Sequence, residues 1–265
     1  MNVLSSLQVM EAERICLHEE HEPARLDDTC SALCQDGVLR HPPLAMRMKD
    51  GRYLILDGAH RTAALRQMGC RWIPVQVVDP ADFRLEAWDH LVPMGTWLYG
   101  LLHDASLRWE AERRHKQLVA EVMYPSGKRL YLYAREKSHD RSEKLHAWHR
   151  IVGAYSRKYA VQRVARGSVS LPEEGTVCLR YPVCTIEEIE KIVASGQVMP
   201  AGVTRFLVSG RLLNLRIPLF LLTGSTFNHQ EWEHYRKQWE GALRLYAEAV
   251  YLCEKEVVAA QTPAE

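Results

Sequence analysis

Six consecutive residues, Asp57-Gly58-Ala59-His60-Arg61-Thr62, bring together a carboxylate, a turn glycine, an imidazole, a guanidinium and a run of backbone N–H groups. They stand between the apolar stretch Leu54-Ile55-Leu56 and the helix-forming residues up to Gln67, so they form the corner where a strand feeds a helix. Such a corner suits an anion. The first amides of a helix lack intrahelical acceptors, Gly58 lets a phosphate approach the backbone, and Arg61 can grip two phosphate oxygens at once. Asp57 cannot serve the phosphate directly, because like charges repel; it is expected to hold Mg²⁺ or to orient a neighbouring group. By spacing alone, the same corner could also be a capped and salt-bridged turn with no ligand.

The elements that position this corner are legible around it. Residues 7 to 15 alternate enough for a first strand, and the polar loop LHEEHEPARL follows from Leu17 to Leu26. Pro23 suits a first helical turn, and Leu26, Cys30, Leu33 and Cys34 recur at helical spacing up to Gly37, which predicts a helix over 23–36. Leu44 to Met48 and Tyr53 to Leu56 read as a hairpin around Asp50-Gly51. A short helix ending at Gly69 and a strand from Trp72 to Val78 complete a small α/β unit. Beyond it come a strand at 130–134, a helix in EKLHAWHRIVGAYSRKY, and a helix in TIEEIEKIVASG with Thr185 as its cap and Ile186, Ile189, Ile192 and Val193 on one face. A last long helix is predicted from Glu231 to Cys253, its stripe of Trp232, Tyr235, Trp239, Leu243, Tyr246 and Val250 serving as core.

The ILDGAHRTAAL segment resembles the D-G-x-H-R-x-x-A motif of the ParB/sulfiredoxin superfamily, whose members bind nucleotide phosphates with this turn. LHEEHEPARL, RHPPLAMRMKDGRYLILDGAHRTAALRQMGCRWIPVQ, WDHLVPMGTW, MPAGVTRF and SGRLLNLRIPL extend the likeness, in order and spacing, to the free L-serine kinases of that superfamily, particularly bacterial ones encoded with staphyloferrin B siderophore biosynthesis. It runs from about residue 7 to 253. The resemblance implies an α/β (α+β) fold, with a ParB/sulfiredoxin-like nucleotide-binding domain over 1–92 and a mixed α/β domain over 93–265 that ends in a long helix and completes the serine site. It implies phosphoryl transfer to the serine hydroxyl from ATP, or from ADP as in archaeal relatives, to give O-phospho-L-serine, a precursor for diaminopropionate and siderophore biosynthesis.

The position matching the family's catalytic glutamate is Glu19, with Glu20 and Glu22 as the neighbours that could be confused with it. Where the family often has two consecutive histidines, Ala59 precedes His60. The resemblance assigns Asp57, with Mg²⁺, to catalysis, and residues 57 to 62 to nucleotide phosphates. Free serine also carries two charges that a specific site must pair. In MPAGVTRF, Gly202 and Val203 offer backbone, Thr204 a hydroxyl and Arg205 a planar fork. Glu22, Arg25 and Trp97 are further substrate candidates, and Arg211 is an alternative carboxylate partner; Trp97 could equally be an ordinary core residue.

Bulk properties bound the alternatives. At 265 residues and 47% hydrophobic content the chain can bury a sizeable core, and 34 Lys or Arg against 33 Asp or Glu give no whole-molecule case for a polyanionic partner. A local excess stands out from Asp104 to Gly167, with fifteen Lys or Arg against seven Asp or Glu. It makes a ParB-like DNA-binding regulator the rival reading, although no helix-turn-helix signature is evident and the charges spread over several elements. MNVLSSLQVMEAERI has no basic segment leading into an apolar run, and no stretch is apolar for long enough to span a bilayer, so a cytoplasmic setting without membrane contact is expected. Seven scattered cysteines fit reduced thiols, with Cys30 and Cys34 read as two buried thiols on one helix face rather than half a zinc site. His146 and His149 read as a surface pair. The oligomeric state is not written in the sequence.

Overall fold

A computed structural model describes residues 3–114, 117–135 and 142–246. The first sheet holds β1 (Leu7–Glu11), β2 (Ile15–Leu17), β4 (Leu44–Arg47), β5 (Tyr53–Asp57) and β6 (Trp72–Val77), in the order β1-β6-β4-β5-β2. A short β3 (Val38–Leu39) stands apart from it, and helices α1 (Pro23–Asp36) and α2 (Ala59–Gln67) complete the first region. The stretch over 7–15 is thus two strands rather than one. It breaks at residues 12–14, where Arg66 Nη2 donates to the carbonyls of Ala12 and Ile15, and its halves pair with different strands, β1 with β6 and β2 with β5.

The second sheet is built from β7 (Phe83–Pro93), β8 (Leu107–Glu110), β9 (Leu118–Met123), β10 (Arg129–Ala134), β11 (Gln162–Ala165), β12 (Thr176–Arg180) and β13 (Thr204–Val208). Its strands pair antiparallel throughout, and β7 is long enough to pair with β13 along its first half and with β11 and β12 along its second. Helices α3 (Thr96–Leu102), α4 (Ser142–Ser156) and α5 (Ile186–Ala194) accompany it. The Thr185 hydroxyl accepts the Glu188 N–H while the Glu188 carboxylate takes the Thr185 N–H, the reciprocal cap that starts α5.

The continuous apolar run of β5 explains how the two sheets meet. Successive side chains of a strand point to opposite faces. Leu54 and Leu56 enter a core shared with Val92, Val122, Leu179, Trp148 and Ile151 of the second region, whereas Tyr53 and Ile55 enter another core with Leu33 and Leu65 of the two first helices. That second core also receives Leu212, Ile217, Leu222, Trp232 and Trp239. The chain therefore returns to the first sheet: β14 (Ile217–Pro218) pairs with β3, followed by α6 (Phe220–Thr223) and α7 (His229–Ala242). Apolar packing does not divide at residue 92, because residues 212–239 bury their side chains beside the first region.

Helix α7 starts two residues earlier than the sequence suggests and stops at Ala242, just after Gly241, with Leu243 already extended. Residues 247–253 of the predicted long helix lie outside the described residues. Cys30 is partly buried and Cys34 exposed, because the face of α1 that turns inward is the one carrying Leu33. No described helix is long and apolar enough to cross a membrane.

Candidate active site

The strand-to-helix corner forms as the residue types dictate. β5 ends at Asp57, Gly58 turns through the left-handed region with φ +95°, and α2 begins at Ala59. A Cβ at position 58 would also meet Pro43 Cβ and Arg61 Nη2 at 3.0 Å, so both backbone and space require glycine there. His60 and Arg61 lie on the partly exposed side of the first turn. Ala59 and Thr62 face inward, and Thr62 Oγ1 is buried with no partner among the described residues. The Thr62 side chain thus departs from its expected place at the phosphates, because one helical turn after Ala59 it lies on the same inward face.

Arg61 donates from Nη2 to Asp57 Oδ2 at 2.8 Å and from Nη1 to the His41 carbonyl at 2.6 Å. Arg211 donates to the same Asp57 oxygen. Burial alone would push the Asp57 carboxyl upward, but the Arg61 and Arg211 charges and hydrogen bonds outweigh it and hold the group below the usual carboxylate range. Of its two anticipated roles, Asp57 displays that of orienter. A Mg²⁺ ion usually needs only one or two protein carboxylates, with waters and substrate phosphates supplying the rest; both guanidiniums gather on Asp57 Oδ2, so Oδ1 is the oxygen that would hold the ion.

Arg211 comes from the loop between β13 and β14, far along the chain. Buried Gln76 clamps this loop on both sides, accepting the Leu212 N–H at 2.8 Å and donating to the Gly210 carbonyl at 2.9 Å. The Asn214 N–H donates to His41 Nδ1 and the Leu215 N–H to the Arg40 carbonyl.

His60 Nε2 accepts the Glu22 N–H at 3.0 Å, which puts the ring proton on Nδ1. Burial, with the nearby Arg25 charge, lowers its pKa to about 4, so the imidazole is neutral at physiological pH and is a dipolar donor rather than a cation. Arg25 itself is exposed on the first turn of α1.

The acidic loop separates its three glutamates by partner. Backbone bonds from Met199 N–H to the His18 carbonyl and from Glu20 N–H to the Met199 carbonyl hold the loop against the segment before β13. Glu19 turns inward, its side chain 20% exposed, and Oε2 accepts the Gly202 N–H at 2.8 Å. Glu20 turns outward, 55% exposed, toward His149 of α4 at 3.4 Å. Glu22 pairs with Arg163 of β11 at 2.9 Å.

Gly202 is held from both sides. Its carbonyl accepts from His90 Nε2 at 2.7 Å, which leaves Nδ1 to accept the Tyr155 hydroxyl proton at 2.7 Å and makes Tyr181 the donor to Tyr155 at 2.6 Å. Burial brings the His90 pKa down to about 4, consistent with this neutral relay. Gly202 has φ +75°, and a Cβ there would fall 2.2 Å from Arg163 Nε.

The rest of MPAGVTRF is spent on structure. Val203 is fully buried. Thr204 Oγ1 is bonded to His18 Nε2 at 2.8 Å, and His18 Nδ1 donates to the Ile55 carbonyl, so the threonine hydroxyl already has a buried partner. Strand alternation sends Arg205 to the other face, where its guanidinium stacks 4.4 Å over Trp88 and approaches Glu86 at 3.6 Å. Trp97 is a core residue, donating to the Pro93 carbonyl and packing edge-on against Tyr155 at 5.2 Å. It reaches the Gly202 wall through Tyr155 and His90.

Sequence reading did not single out Arg163, His18, His41, Gln76 or His90. Gln76 gave the clearest signal, a polar residue among the apolar positions of WIPVQV. Part of the basic band is ion-paired: Arg108 and Arg114 meet Glu110, Arg129 meets Glu121, Arg150 meets Asp104 and Arg163 meets Glu22. His146 is exposed and His149 partly buried, and among the described residues no cluster of three His, Cys, Asp or Glu could hold a metal ion.

No protein-family model matches the sequence. The chain is 34% identical over 251 residues to the ATP-dependent L-serine kinase SbnI of Staphylococcus aureus, across 94% of this chain and 97% of that protein. A solved structure of SbnI with C-terminal truncation from Staphylococcus aureus superposes with a TM-score of 0.78 at 33% identity, covering 91% of this chain and 97% of that one. A free serine kinase, solved as a glutamate-to-alanine variant in complex with ADP, shares the fold with a TM-score of 0.67 at 15% identity, over 82% of this chain and 94% of that one.

Proposed function

The chain belongs to the family of ATP-dependent L-serine kinases, and from that premise we propose that it transfers the γ-phosphoryl group of ATP to the hydroxyl of free L-serine, giving O-phospho-L-serine. The observation that carries this reading is the convergence of the phosphate corner and Glu19 through Glu22, whose N–H is bonded to His60 and whose loop places Glu19 on Gly202.

The chemistry asks little covalent help from protein. Phosphoryl transfer needs charge neutralisation and an in-line hydroxyl. The first amides of α2, the Nδ1–H of neutral His60 and the guanidiniums of Arg61 and Arg211 supply donors for phosphate oxygens, and Asp57 holds both arginines ready. Glu19 is the base that accepts the serine proton, because it faces inward with one backbone donor, whereas Glu20 faces His149 and Glu22 is taken by Arg163. Mg²⁺, bound through Asp57, would neutralise charge on the transferred phosphate.

The D-G-x-H-R corner supports assignment to the ParB/sulfiredoxin superfamily. Use of the product for diaminopropionate and siderophore biosynthesis is what the resemblance implies. A DNA-binding role draws less support, since the charges of the basic band are spread over β8, β10, α4 and β11 rather than gathered on one recognition element. Purified protein incubated with Mg²⁺, serine and either ATP or ADP should yield O-phosphoserine by mass spectrometry, with ATP the better donor. Absence of product with both nucleotides would refute the kinase reading.

A further inference from the structure

A free amino acid brings an α-carboxylate and an α-ammonium into the site, and each must meet an opposite charge or be desolvated at a cost. The guanidiniums proposed for the carboxylate from sequence are otherwise engaged: Arg205 lies on Trp88, and Arg211 is committed to Asp57 on the phosphate side. Arg25 is exposed on α1.

Arg163 differs. It reaches from β11 to the centre of the site, pressed against Gly202, the residue whose N–H holds Glu19. Of its guanidinium donors, Nη2 bonds Glu22 Oε1 at 2.9 Å, and Nε is buried with no partner among the described residues. Glu22 is fixed in turn by the bond from its N–H to His60 of the phosphate corner. The ion pair therefore sits between the base and the phosphate-binding turn, where the backbone of a small hydroxy amino acid must lie, since the serine hydroxyl is only two bonds from Cα.

We infer that the Arg163–Glu22 ion pair is the amino-acid subsite of this kinase, opening to admit the substrate so that Arg163 takes the α-carboxylate and Glu22 the α-ammonium. The proposal rests on the kinase reading. Insertion of a zwitterion replaces one ion pair by two and leaves no partly buried charge alone, while the planar guanidinium can offer the carboxylate two parallel donors. It also gives the pairing a selective consequence: a hydroxy compound lacking either charge would leave one member of the opened pair unmatched.

The test uses the intact chain and its Arg163→Met, Arg163→Lys and Glu22→Gln variants, measuring KM for serine and ATP together with inhibition by L-alanine, which keeps both charges, and by ethanolamine, which lacks the carboxylate. Arg163→Met should raise serine KM and the alanine inhibition constant by about 100-fold, leaving the ethanolamine constant and ATP KM within a few-fold. Arg163→Lys, which keeps charge but loses the fork, should fall between, and it keeps the test open should the methionine variant not fold. Glu22→Gln should weaken ethanolamine and alanine alike. Unchanged serine KM in Arg163→Met, or serine, ethanolamine and ATP constants rising in step as a damaged wall would produce, would overturn the assignment. Absence of phosphoserine from the unaltered chain would instead remove the kinase reading.

Discussion

The two sides of the site are built by different means. The phosphate side is centred on a contiguous corner, Asp57 to Arg61, whose turn, helix start and charged side chains follow from five adjacent residues, with Arg211 added from the loop after β13. The opposite side is assembled from distant segments, with Glu19, Arg163, His90 and Gly202 meeting through the pairing of β7, β11 and β13. A local motif declares its chemistry because geometry and residue type are encoded together. A wall made by strand pairing does not, since one register decides whether a polar side chain faces ligand or core.

The largest effect should come from Glu19 on the assembled side. Glu19→Ala is expected to lower kcat by roughly 10²–10⁴-fold with little change in nucleotide affinity, because a base acts in the transition state; steady-state kinetics with fluorescence titration of nucleotide would check both halves. If Glu20→Ala or Glu22→Ala gave the larger loss in kcat while Glu19→Ala did not, the choice among the three carboxylates would be wrong.

On the phosphate side the signature should reverse. Arg211→Ala removes one of two charged donors and should raise ATP KM by about 10–100-fold, the size of a charge-assisted hydrogen bond, leaving serine KM nearly unaltered. Gln76→Leu acts one step back, by freeing the loop that carries Arg211. It should show the same ATP-specific defect at about 5-fold, together with a stability loss of about 1–3 kcal/mol from two unmatched backbone groups. A serine-specific defect in either variant would dissolve the distinction between the two sides.

A separate prediction concerns the pH dependence of stability. His60 and His90 have native pKa values lowered to about 4, so the unfolded chain binds more protons below pH 6.5 and stability is lost as pH falls from 6.5 toward 4. For fully buried His90 the loss between pH 7 and 5 is on the order of 2 kcal/mol. Urea unfolding should show a shallower loss in His90→Gln over that window, and an unchanged slope would mean that His90 does not remain neutral in the fold.

The same contrast governs what sequence alone reveals. The helix over 23–36, the hairpin at Asp50-Gly51 and the Thr185 cap are short-range signals, and each appears with its predicted chemistry. Thr204 and Arg205 looked like ligands because of their types, yet Thr204 is consumed by His18 and Arg205 by Trp88, both brought there by folding. Arg163 was visible only as one of many basic residues between 104 and 167. The return of residues 212–239 to the first sheet escaped a linear division because helical periodicity tells that a face is apolar, not which core receives it.

A crystal structure of the chain with L-serine and a non-hydrolysable ATP analogue bears most directly on how the two sides cooperate. The serine hydroxyl should lie about 2.6–3.2 Å from the Glu19 carboxylate and in line with a terminal phosphate seated on the Ala59–Arg61 turn. A serine hydroxyl directed to Glu20, or phosphates bound away from that turn, would contradict the assignment of base and phosphate corner.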